Sequence, residues 1–311
     1  MQIVNFSPCH IPQAMALALA QYEEERGQTA ALPAIAHTPD LRELAQNVPG
    51  VAAVEGARLI GFLCGNPPRE NAFHSAARGI FSPIHAHGAI RQHRADIYAR
   101  LYLAAAEKWV RAGIAYHSIG LYAHDSATIS AFFSNGFGRR CIDAIRPMTR
   151  IGAAPVPGIT FRELRMEEFS GIRLLQRGLA DHLAASPCFM QHSPEPAIPA
   201  EDGARIFAAF RDHRPVAFLE LSDEAETFIT HRTDMKNIVG AYCLPAERGI
   251  GIYPALLDYA LGQLADEGYA YMGVDYESFN PTAAHFWPKH FAVYTNGLVR
   301  RIDECALRSG G

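Results

Sequence analysis

The sequence predicts an α/β chain built as two similar halves, each alternating short apolar strands with amphipathic helices. Three observations carry that prediction. Residue types recur at one fixed offset, a Pro/Gly-rich joint lies midway along the chain, and the same order of strand and helix patterns stands on either side of the joint.

The first half opens with an apolar stretch, Ile3 to Phe6, and an amphipathic helix after Ile11. Two apolar runs follow, Val51 to Glu55 and Leu59 to Cys64, joined by Gly56-Ala57 as in a hairpin. Next come a helix carrying Ile97, Tyr98, Leu101 and Ala105, a glycine at 113, and a strand from Ala115 to Tyr122. Asp125 stands where a helix N-cap is expected, ahead of Ala131-Phe132-Phe133. Residues 151–158, Ile-Gly-Ala-Ala-Pro-Val-Pro-Gly, have the composition of a linker, so domains are expected over 1–150 and 159–311.

The second half repeats the order. It has Ile159 to Leu164, a helix after Glu167, apolar runs Ile206 to Phe210 and Val216 to Leu221, and the turn Asp212-His213-Arg214-Pro215 between them. Ile252, Tyr253, Leu256, Ala260, Gly268, Ala270 and Tyr271 match Ile97, Tyr98, Leu101, Ala105, Gly113, Ala115 and Tyr116, all 155 residues apart (97 to 252, 116 to 271). At the same spacing Asn280 answers Asp125, and Phe286-Trp287 lies in the helix that follows.

The formal net charge of −4 and the 19% of charged residues give no basic surplus for nucleic acid or an anionic membrane. Six scattered cysteines without a C-x-x-C pair argue against a disulfide framework or a structural zinc site. His85 and His87 alternate in a short segment but lack a third ligand, so no metal is expected. The start has no basic n-region and no apolar run is long enough to span a bilayer, so the expected location is the cytoplasm.

The segment most informative about chemistry is Ala241 to Leu257. An apolar strand ends at Pro245, a loop with Gly249 and Gly251 follows, and a helix begins with Pro254 in its first turn. Such a loop at a helix N-terminus turns bare backbone N–H groups and the positive end of the helix dipole toward an anion. The G-x-G-x-x-G and G-K-[ST] patterns of dinucleotide and triphosphate loops are absent. In the first half Arg94 and Asp96 replace the two glycines. Their side chains take the space a phosphate needs, and the Asp96 carboxylate competes with an anion.

Arg248-Gly249-Ile250-Gly251 after Cys243-Leu244-Pro245 resembles the phosphate-loop signature of the GNAT N-acetyltransferase superfamily. Asn280 through Phe291 is similar to that superfamily's second signature, and Asp125 through Phe137 fits it too. The resemblance covers both halves. It implies two tandem GNAT-like domains, each a mixed, mostly antiparallel central sheet flanked by helices, with only the second competent for acetyl-CoA. Two departures stand out: Tyr253 replaces the last small residue of the first signature, and no glycine precedes Phe291, which shortens that turn by one residue.

The resemblance further implies direct attack of a small-molecule primary amine on the acetyl thioester. Cys243, Leu244, Arg248, Gly249, Ile250, Gly251, Ile252, Tyr253, Asn280 and Trp287 would hold the coenzyme, with a backbone N–H at Cys243 or Leu244 meeting the oxyanion. Glu220, Asp275 and Glu277 are the candidate bases, the last two on one strand face by alternation. Trp287 stands where the family's thiolate acid, a tyrosine, is usual, so Tyr242 and Tyr276 become the candidates. Residues 186–203 and 223–236 would supply the acceptor pocket. A non-catalytic coenzyme-binding protein is the alternative.

Overall fold

Short alternating segments make the strands and the longer 3.6-residue patterns make the helices. The computed structural model describes residues 1–47, 50–191 and 203–308. In chain order the elements are β1 (Gln2–Asn5), α1 (Ile11–Gln28), α2 (Arg42–Asn47), β2 (Val51–Glu55), β3 (Arg58–Leu63), β4 (Gly79–Ser82), β5 (His87–Ala89), α3 (Arg94–Arg111), β6 (Tyr116–Tyr122), α4 (Ser126–Ser134) and β7 (Gly138–Pro147). Then come β8 (Ile159–Glu163), α5 (Arg173–Ala184), β9 (Arg205–Arg211), β10 (Arg214–Ser222), β11 (Met235–Cys243), α6 (Ile252–Asp266), β12 (Tyr271–Glu277), α7 (Pro281–Phe286), β13 (Ala292–Val293), β14 (Thr295–Arg301) and α8 (Glu304–Arg308). β6 and β12 lie at the 155-residue spacing, and the side chains of Asp125 and Asn280 cap α4 and α7 as expected.

The chain divides into one unit of residues 1–142 with the C-terminal segment from 293, and a second of residues 143–292. This differs from the joint expected at 151–158. That joint lies inside the second unit, where Asp258 of α6 accepts from the N–H groups of Ile151 (2.6 Å) and Gly152 (2.8 Å). Residues 293–308 go with the first unit because β14 pairs antiparallel with β6 from Thr295↔Tyr122 to Arg301↔Tyr116. The pairing partner of a last strand is a long-range property that local patterning does not carry.

In the first unit β1-β2-β3-β5 form an antiparallel sheet, and β4 runs parallel to β6 beside β14. α3 covers one face of the hairpin strands with Ile97, Tyr98 and Leu101, and α1 covers the other with Ala14 and Ala18 against Phe62. In the second unit the order is β12-β11-β10-β9-β8, antiparallel except for the β11–β12 pair. α5 packs on one face through Leu175 against Phe218 and Tyr242, and α6 lies on the other. Each unit thus has a mixed, largely antiparallel sheet flanked by helices.

A buried ionic network closes the first unit near the N-terminus of α3. Arg94 donates to both oxygens of Glu24 at 2.8 Å and lies 3.5 Å from Asp125, while His124 Nδ1 meets Glu25 Oε2 at 2.5 Å. The hydrogen bond to Glu25 holds the His124 pKa above its ordinary value, against the cost of burial. A raised folded pKa contributes stability that is full below the unfolded value, near 6.5, and is lost as pH rises through the folded value. Stability of the first unit is therefore expected to fall as pH is raised above about 6.5 and through the raised folded value, and His124→Gln should flatten that slope. Urea titrations at several pH values check it; an unchanged slope in the variant removes His124 as its origin.

Candidate functional site

The site grows from a fault in the second unit's sheet. β11 and β12 pair in parallel from Met235↔Tyr271 to Ile238↔Val274, and the pairing stops there although the strands continue to Cys243 and Glu277. On the other side of β11, Glu220 faces Gly240 but the next residue, Leu221, faces Ile238. Val239 is thus an extra, bulged residue, left 49% exposed. A bulge bends its strand and strengthens the local twist. Here β11 parts from β12 and a wedge opens between them.

The same register decides which backbone N–H groups face the wedge. Leu244 N–H donates to the Val216 carbonyl of β10 at 3.0 Å. Peptide groups alternate in direction along an antiparallel pair, so the N–H of Cys243 points away from β10 and into the wedge. Of the two expected oxyanion donors, Leu244 is committed to the sheet, and Cys243 turns its N–H toward the wedge.

After a 3-10 turn at Pro245–Glu247, the chain passes Gly249 at φ +82° and Gly251 at φ +90°, and α6 starts at Ile252. A Cβ at Gly249 would meet nothing within 4 Å, and one at Gly251 only Val156 Cγ2 at 3.7 Å. The left-handed backbone rather than crowding therefore calls for glycine here. No side chain caps α6, so its first N–H groups, at Ile252 and Tyr253, lack intrahelical partners. Ile250 is 53% exposed beside them. Arg248 folds back, donating from Nε to the Cys243 carbonyl (2.9 Å) with its guanidinium 5.3 Å above the Tyr242 ring. Glu247, the acid next to the loop, is held by Arg211 at 2.9 Å. The result is an exposed turn of bare amides with its nearest acid neutralised, suited to a diphosphate.

The first unit has no such turn. Without the glycines α3 begins at Arg94, one turn earlier than α6 by the repeat spacing, and Arg94 is buried on Glu24 and the Ala89 carbonyl. The wedge there is filled too. His87 sits in β5 and is buried, with Nε2–H donating to the Gly120 carbonyl of β6 at 2.6 Å. Its Nδ1 lies 2.7 Å from the Tyr98 hydroxyl, which also meets Gln21 Oε1 at 3.0 Å, and burial pushes the His87 pKa down to about 4.

The three candidate carboxylates gather on the α5 face of the second unit's sheet. Glu220 lies over Gly240 beside Gln176 of α5, with its pKa raised by burial. Glu277 acts on Cys188, just beyond α5, and Asp275 shares its strand face. Asp275 is exposed to solvent at its surface although protein atoms crowd around it. Desolvation there, with the charges of Glu226, Asp143 and Glu277, pushes its pKa up to about 8. Solvent reaching the side chain screens part of that rise.

The tyrosines fall differently from expectation. Tyr242 is buried against α5, where a Cβ on Gly178 would stand 2.8 Å from its ring, so it acts in the core. Tyr276 is buried on the strand face opposite Asp275 and Glu277. Trp287 is 5% exposed, in edge contact with Tyr253, Phe286 and Phe291. The shortened turn after it is confirmed: His290 and Phe291 both bond back to the Trp287 carbonyl with no left-handed residue, whereas Gly136 at φ +82° ends the matching turn. Asn280 Oδ1 accepts from Thr282 and Ala283 N–H and lies 3.2 Å from His182 Nε2, so its amide N–H groups are what it offers a ligand. His182 and Gln176 escaped the sequence reading because only the packing of α5 brings them to the wedge.

Of the segments expected to form the acceptor pocket, 192–202 lie outside the described residues. Among the described residues no cluster of His, Cys, Asp or Glu could hold a metal ion, and no helix is long and apolar enough to cross a membrane.

No protein-family model matches the chain, and no curated protein is detectably similar in sequence. Solved structures do match. A GCN5-related N-acetyltransferase from Sphaerobacter thermophilus aligns at 13% identity over 96% of this chain and 95% of its own, with a TM-score of 0.55. One from Kribbella flavida aligns at 11% identity over 91% and 95%, with a TM-score of 0.46. A tandem GNAT protein of the clavulanic acid pathway aligns at 12% identity over 96% and 98%, with a TM-score of 0.42. The fold assignment rests on the first of these.

Proposed function

We propose that this chain, which has the fold of the GCN5-related N-acetyltransferases, transfers the acetyl group of acetyl-CoA to a small-molecule primary amine in the cleft of its second unit. The observation that carries the reading is the wedge between β11 and β12 running up to an uncapped, glycine-containing helix start. The amides at Gly249–Tyr253 receive the diphosphate, and the remainder of the coenzyme reaches along β11 with its thioester carbonyl at the Cys243 N–H. The acceptor enters from the α5 face, where the carboxylates stand.

The amine nitrogen attacks the thioester carbon, a C–N bond forms and the C–S bond breaks. Asp275 takes the proton released by the amine, and the thiolate leaves. Because Asp275 works in its charged form, kcat/KM is expected to fall as pH drops below about 8. Asp275→Asn should lower kcat roughly 100-fold and abolish that limb, and Glu220→Gln should preserve it. Calorimetric titration of acetyl-CoA with thiol release over an amine panel tests the whole reading. Binding without thiol release would instead indicate a non-catalytic coenzyme-binding protein.

A further inference from the structure

A recess of about 280 Å³ lies on the α5 face of the second unit, at the hairpin end of β9 and β10 and over β8. Its apolar lining is Leu164, Ile172, Phe210 and Pro215, and Arg162, Glu168 and His213 supply charge and polarity. Pro215 precedes Glu220 by five residues of β10, a distance of about 16 Å along an extended strand. The recess is therefore separate from the carboxylates of the wedge. At about 30 Å³ per water it has the room of roughly nine waters, which suits a ligand of about as many non-hydrogen atoms.

The hydrogen bonds already made there show which charge is still on offer. Arg162 Nη1 lies 2.9 Å from both oxygens of Glu168. Glu168 also accepts from Arg165 N–H at 3.0 Å and Nε at 3.3 Å. The Arg162 bond, followed by the Arg165 amide, holds the Glu168 pKa down to about 2, so this carboxylate stays ionised and is answered by two guanidinium groups. One positive charge is left over. Among the described residues neither Nε nor Nη2 of Arg162 makes a hydrogen bond, and neither does the His213 imidazole. The Nε–Nη2 edge grips a carboxylate through two parallel bonds, as Arg205 does to Glu163 and Arg232 to Asp234 in this unit. Stacking holds the guanidinium in place, with Cζ 4.5 Å above the Phe210 ring centroid.

We propose that this recess binds a small monocarboxylate with a compact apolar body, its carboxylate gripped by the Nε–Nη2 edge of Arg162 and its hydrocarbon laid on Ile172, Phe210 and Pro215. The site shares no residue with the glycine loop or the wedge, so it stands independently of the acetyltransferase reading.

The probe is 4-methylpentanoate, with its neutral amide as the control, titrated into the full chain and followed by ligand-observed NMR. The acid is expected to saturate with a Kd of about 1 mM or tighter, and the amide to bind at least about tenfold more weakly. Arg162→Gln should weaken the acid at least about tenfold. Arg162→Lys should weaken it nearly as much, because an ammonium keeps the charge and loses the fork. Glu168→Gln should tighten it about threefold, since a competing carboxylate goes while an oxygen remains for the Arg165 amide. Gly251→Asp should leave it unchanged. Equal affinity for acid and amide, wild-type affinity in either Arg162 variant, or no saturation by about 10 mM overturns the proposal. Binding that survives Arg162→Gln but is lost in Gly251→Asp overturns it by placing the anion at the glycine loop.

Discussion

Replacing Gly251 with aspartate is expected to raise the Kd for acetyl-CoA by at least about 100-fold, roughly 2.7 kcal/mol. Two effects add. Gly251 sits at φ +90°, and a residue with a Cβ pays about 1–2 kcal/mol to stay there, so the loop relaxes away from the shape that presents its amides. The new carboxylate also binds the positive end of α6 in place of the diphosphate. The first half is the natural control, since Asp96 stands at the matching position and its helix has closed over the loop. Gly251→Ala carries the strain without the charge and should lose less. Calorimetry on both variants, with Tm alongside, checks the ranking. Wild-type affinity in the aspartate variant would remove this loop from coenzyme binding.

Asp258→Ala is expected to lower stability of the second unit by about 2–4 kcal/mol, a Tm shift of roughly 5–15 °C. Asp258 is 6% exposed and accepts from Ile151 N–H, Gly152 N–H and Arg150 Nε and Nη2. Arg150 is 65% exposed, so its ion pair contributes little, and the two backbone amides carry the effect. Burial works to raise the Asp258 pKa, but the Gly152 amide, Arg150 and the Ile151 amide outweigh it and hold it below the ordinary carboxylate value. A depressed folded pKa contributes stability present above the unfolded value, near 3.9, and lost as pH falls through the folded one. The difference between wild type and variant should therefore shrink below about pH 4. Thermal melts at pH 7 and pH 3.5 measure it, and a constant difference would show that the carboxylate's charge is not what matters.

Much of the fold was legible before any coordinates. Strands and helices were readable because period-2 and period-3.6 burial leaves its mark within a few residues. Asp125 and Asn280 were readable as caps because the bond they make is three residues long. The glycine loop was readable because a left-handed backbone at a helix start admits few other residues. The role of His87 was not legible, because a histidine in a short alternating segment shows its partner only when a carbonyl from β6 lies 2.6 Å away. Tyr253 was read as bulk at a helix start, since nothing nearby in sequence reveals a buried hydroxyl without a partner.

Local chemistry thus settled the repeated halves, the caps and the turn shaped for an anion, all of which depend on residues within one or two turns of each other. Tertiary structure alone decided that β14 pairs with β6, that the bulge at Val239 opens the wedge, and that Cys243 rather than Leu244 turns its N–H into it. These depend on register between strands far apart in the chain, where a slip of one residue reverses every side chain and peptide group without altering the local pattern that a sequence displays.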